Sequence, residues 1–250
     1  MKAYINHHLF TEKPLDSAEL TVPASIIHNF SEPGAYLGSI TAAGKTKSNF
    51  HLLVDEKYAA TQVNIDLADV VKTVATDCDC RTEKHGERHF EVNPKGFVVF
   101  YVSRGAGGYS IHVSGKVTHS TEPVIFDSTE LDVGDIFAVS LLRPGTHIVS
   151  NSMGNEAQII VQYPGAKQGR ELYNRAPPVE IRCTESGFAP NQIQAEMAQG
   201  LIFRIENKSA SRIRIELAKA DDGPSTKGPS SVFSWRKSPL SPNEISTKNS

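Results

Sequence analysis

Residues 124–164 read VIFDSTELDVGDIFAVSLLRPGTHIVSNSMGNEAQIIVQYP, and the fold is read outward from them. Apolar, β-branched runs alternate there with turn signals at 132–135, 143–146 and 152–155, where Gly, Asp, Pro and Asn gather. Strand-length runs parted by residues that accept tight turns predict a short antiparallel meander.

Upstream, the segments ELTV, ASIIHNF, AYLGSIT, NFHLLVD and TQVNIDL carry apolar residues at a period near two, which predicts a sheet rather than βαβ units. Residues 67–76, LADVVKTVAT, fit one short helix or a further strand, because their β-branched content suits either. The run GFVVFYVSR at 96–104 is almost continuously apolar, as expected of a strand buried on both faces. Gly105, Gly107 and Gly108 then predict a hairpin into YSIHVSGKV.

Downstream, residues 167–178 contain Gly169 and the pair Pro177-Pro178, and are read as a linker. Alternation resumes at Val179 and ends near residue 219. Residues 220–250 are rich in Ser, Pro, Lys and Asn and bury too little apolar surface to offset ordering entropy, so a disordered tail is expected. Within it, Phe233 and Trp235 form an apolar spot that either binds a partner or folds back onto the protein's own sheet.

Length and composition bound the function. A chain of 250 residues, 39% hydrophobic and 22% charged, buries a sizeable core. A net charge of -2 argues against a nucleic-acid surface, which needs clustered Lys and Arg. No run is long enough to span a membrane, and His7, His8, Glu12 and Asp16 interrupt any signal-peptide core, so a cytoplasmic protein is expected. Three cysteines, Cys78, Cys80 and Cys183, make no disulfide framework.

Residues 179–217 resemble the first half of a cupredoxin domain: a strand, the turn Gly187-Phe188-Ala189-Pro190, a second strand, a turn at Gly200, and a third strand ending at Asn207. The resemblance implies a β-sandwich but no copper. Ser209 to Arg212 stand where the family's first His falls, and no His follows His147. Gly134, Asp135, Pro144, Gly145, His147 and Asn151 are similar to the second conserved motif of cupins, with altered spacing. That likeness implies a metal enzyme using His112, His119 and His147, although His112, His119 and Glu122 lack the family's His-x-His spacing.

The densest set of metal-ligand side chains is CDCRTEKHGERH, with Cys78, Cys80, His85 and His89. Two thiolates and two imidazoles suit tetrahedral zinc, whereas the surrounding charges suit a solvated loop. His51 and His112 lie on strands and are read as hydrogen-bonded core histidines. Ala43-Gly44-Lys45-Thr46 lacks the first glycine of a phosphate loop and precedes a strand, which excludes that function.

The expectation is thus an all-β protein: a β-sandwich or jelly-roll-like domain over 1–166, the linker, a smaller cupredoxin-like unit over 179–219, and the tail. The leading functional reading is a non-enzymatic binding or interaction protein, a possible homo-oligomer. A cupin-type metal-dependent enzyme and a zinc-stabilised module are the alternatives.

Overall fold

The computed structural model describes residues 13–75, 88–115, 123–163 and 176–221. Strands dominate, in the order β1 (Leu15–Asp16), β2 (Ala24–His28), β3 (Gly34–Ala42), β4 (Lys45–Val54), β5 (Gln62–Asp66), β6 (Arg88–Val92), β7 (Phe97–Tyr101), β8 (Tyr109–Gly115) and β9 (Val124–Asp127). After them come β10 (Ile136–Ser140), β11 (Gly145–Asn151), β12 (Glu156–Gln162), β13 (Val179–Thr184), β14 (Gly187–Ala189), β15 (Gln192–Glu196), β16 (Gly200–Ile205) and β17 (Ile213–Ala220). The ambiguous segment resolves as a helix, α1 (Leu67–Ala75). The Asp66 carboxylate accepts from the Ala68 N–H and caps its first turn.

Three sheets form. A seven-stranded sheet runs β14-β13-β16-β10-β2-β7-β5, and two five-stranded sheets run β6-β4-β3-β8-β9 and β1-β17-β11-β12-β15. The central sheet is organised by one cross-strand row. Ile65 pairs with Phe100, Phe100 with Ile26, Ile26 with Phe137, Phe137 with Phe203, and Phe203 with Ile181. All six are fully buried. Paired residues share a face, so this row is a continuous apolar ridge across six strands, each side chain contributing about 1.5–3 kcal/mol.

Ring contacts join that ridge to the sheet holding β4 and β9. Phe100 stacks on Phe126 at 5.4 Å between centroids, and Phe50 lies 6.2 Å from Phe100. On the far side, strands β10, β11 and β12 pair with β16, β17 and β15 respectively. The segments before and after the predicted linker therefore share two sheets, while residues 167–175 of that linker lie outside the described residues.

Two local expectations are corrected. The stretch 124–162 is not one meander: β9, β10 and the β11-β12 pair belong to three different sheets, and only β11 and β12 form a hairpin. Asn151 makes that hairpin, its Oδ1 accepting from the Met153 and Asn155 N–H groups. Nor do β7 and β8 form a hairpin. Gly105, Gly107 and Gly108, at φ +82°, +65° and +78°, instead carry the chain from the central sheet to another. The Gly108 and Tyr109 N–H groups both donate to Leu20 O on the way. Glycines permit a reversal of direction, and which edge takes the next strand is decided by packing.

β7 also differs from the fully buried strand expected. Val98 and Phe100 face the core, but Phe97 at its start is 50% exposed. By contrast, Ala43 and Gly44 at φ 50° and 70° form a two-residue turn of the hairpin type between β3 and β4, in keeping with the exclusion of a phosphate loop.

Candidate functional site

Four histidine environments hold the chemistry among the described residues. At the end of β2, alternation leaves His28 facing inward beside the aromatic cluster, 4.5 Å from Phe30 and 4.7 Å from Phe126 between ring centroids. Its Nδ1 lies 2.5 Å from Oδ1 of Asp135, a residue only 2% exposed. The turn before β10 fixes that carboxylate, since Oδ2 accepts from the Asp132 N–H at 2.9 Å. An ionised carboxylate only accepts, so Nδ1 donates this hydrogen bond and the ring is held in one orientation. This orienting pair was missed in the sequence because its members are 107 positions apart. Its one visible signal was Asp135, singled out as part of the Gly-Asp turn.

On the outer face of its sheet, His51 of β4 is directly in register with His89 of β6. The rings stack at 4.9 Å with an interplanar angle of 12°. His89 was expected as a ligand beside Cys78, Cys80 and His85, and those three lie outside the described residues. His51, expected as a buried or half-buried histidine on a strand, is half-buried but on the outward side, because Phe50 and Leu52 take the inward positions.

His112 also points outward, with Ile111 and Val113 fully buried on either side. Its Nδ1 stands 3.4 Å from Asp127 Oδ2, and 42% of the side chain is exposed. His147 differs: it is 6% exposed, and its Nε2 is 3.0 Å from the Arg143 carbonyl. Burial is the main cause that pushes its pKa below the ordinary histidine value. The two cupin-type candidates thus lie in separate sheets, one facing outward and one inward. His119 and Glu122 lie outside the described residues.

Cys183 is fully buried on β13, and desolvation pushes its thiol up to about 12. That removes the thiolate needed of a nucleophile or a metal ligand. Among the described residues, no group of three or more His, Cys, Asp or Glu is set to hold a metal ion. No helix there is long and apolar enough to cross a membrane. Phe233 and Trp235 lie outside the described residues.

The edges offer a different kind of site. Among the described residues β15 ends its sheet and is paired on one side only, with β12. Its sequence QIQAE carries no Pro, Lys or Arg, and Gln192 and Gln194 are exposed. Met197 and Tyr163, 37% and 47% exposed, lie at the same end of the β12-β15 pair, where the Met197 N–H donates to Gln162 O. The chain matches no protein-family model, no curated protein and no solved structure.

Proposed function

We propose that this is a non-enzymatic β protein that binds another polypeptide by adding a strand at β15. The observation that carries the reading is that edge: one-sided, free of the lysines and prolines that usually blunt edges, and flanked by the exposed Tyr163 and Met197. Strand addition gains affinity from main-chain hydrogen bonds, and the apolar side chains at its end supply the selecting contact. The architecture read here is a layered sandwich with a cupredoxin-like second unit, closed by β10, β11 and β12 rather than by later residues. The one-sided ridge and the Phe100–Phe126 stack support it. The four parallel pairings, β12-β15, β13-β16, β4-β6 and β5-β7, leave a solenoid-like course as the alternative arrangement.

A photo-crosslinking residue placed at position 194 tests the proposal in the cells that make the protein. One discrete adduct at 194, absent when the same residue replaces Thr46 and lost in the Ile193→Pro background, is the expected result. Equal labelling at both positions would sink it. A second copy of this chain in the adduct would identify the partner as a homo-oligomer.

A further inference from the structure

We infer that His51 and His89 form a two-imidazole site for a borderline divalent cation such as Zn2+ or Ni2+. The inference stands independently of the β15 edge, which belongs to another sheet. It begins with register. β4 and β6 run parallel, with His51 opposite His89, so both side chains leave the same face of the sheet at the strand spacing of about 4.8 Å.

The rings follow that spacing, standing 4.9 Å apart and within 12° of parallel. A metal held at about 2.0–2.1 Å from each nitrogen needs the two nitrogens roughly 3.3 Å apart. Chelation therefore requires each ring to turn about its Cβ–Cγ bond out of the stacked arrangement, so that one nitrogen of each faces the shared gap. Two neutral imidazoles are the donor type that borderline divalent ions prefer, while hard cations such as Mg2+ prefer oxygen.

Position supports the assignment. Among the described residues β6 is the last strand of its sheet, and His89 is exposed. Ion and solvent therefore reach the pair from the side of the exposed His89 ring, and water fills the remaining coordination positions. The site shares His89 with the thiolate cluster expected around Cys78, but its second ligand comes from 38 residues earlier (89 minus 51). Short-range spacing could not reveal it.

The test uses the untagged full chain, titrated with Zn2+ or Ni2+ alone by calorimetry and followed through the histidine ring nitrogens by NMR. One ion per chain should bind, shifting or broadening the ring signals of His51 and His89 and leaving those of His28 and His112 in place. Loss of an outer partner of a metal ligand already costs about 10–100-fold in affinity, so His51→Ala and His89→Ala should each weaken binding at least tenfold. His112→Ala and the double variant C78S/C80S should bind as the parent does. Absence of binding, or binding undiminished in His51→Ala, overturns the inference. Loss of binding in C78S/C80S also overturns it by moving the ion to the thiolates. The ring signals of the parent chain decide the matter even if one variant folds poorly.

Discussion

Asp135 shows how much one residue settles. Its carboxylate serves His28 and the Asp132 N–H at once while almost wholly buried. Removing it leaves both donors without an acceptor, so Asp135→Ala should cost about 2–3 kcal/mol in urea unfolding. Asp135→Asn keeps an acceptor for Asp132 and should cost less, and equal costs would show that the hydrogen bonds are not what matters.

His147 makes a prediction about pH. Burial lowers its folded pKa below the unfolded value, so the unfolded chain binds the extra proton first on acidification. Its share of stability is present above about pH 6.5, and is lost as the pH falls from there toward the lowered folded value. His147→Gln should flatten the stability profile in that window, and an unchanged slope would assign it to other groups. Cys183, with its thiol pushed up to about 12 and fully buried, should resist a thiol reagent at neutral pH until the chain unfolds. A C78S/C80S background, in which it is the sole thiol, makes that test clean. None of these burial effects could be read from the sequence, where Cys183 and His147 look no different from an exposed Cys or His.

At the scale of elements, glycines separate close approach from mere turning. A Cβ on Gly38 would lie 2.0 Å from Phe50 Cζ, since the Phe50 ring rests over its cross-strand partner. One on Gly145, at φ +139°, would lie 2.2 Å from the Lys219 carbonyl and press β11 away from β17. Gly134 at φ +95° has nothing within 4 Å of such a Cβ. Thermal unfolding should therefore rank the alanine variants with Gly134 mildest, at about 1 kcal/mol, and Gly38 and Gly145 at or above about 1–3 kcal/mol. A Gly145→Ala variant as stable as Gly134→Ala would mean that β11 and β17 separate without cost. Strands were legible because alternation is a local property: ASIIH, FHLLV and FVVFY all became strands. Which strand pairs with which was not, and the hairpin expected at the glycine turn and every pairing of the meander except β11-β12 failed for that reason.

Across the whole molecule, β10, β11 and β12 find partners in β16, β17 and β15, so the parts on either side of residue 170 hold each other's sheets together. A protease cut within 164–175 should leave two fragments that co-elute on gel filtration in native buffer and separate only in denaturant. Independent elution in native buffer would show two self-sufficient units. The composition boundary near Pro177 and Pro178 was plain in the sequence, but composition reports where a chain lacks regular structure and not how many sheets cross that point. The stacked His51 and His89 were hidden by the same limit, since a parallel pairing brings together residues with no common local pattern.

The six-strand ridge also bears on how the protein is made. β2, near the start of the chain, lies between β7 and β10, and Ser25 faces Ala138, 113 positions later. While the ribosome is still adding residues 102–135, Ile26 and Phe100 can pair, yet the other side of β2 stays bare, and β10 in turn waits for β16. The nascent chain thus presents an apolar, unpaired strand border until first β10 and then β16 have been made, the period in which such borders join the wrong neighbour. Folding in cells should therefore be sensitive to whether that border is guarded until residue 205 emerges.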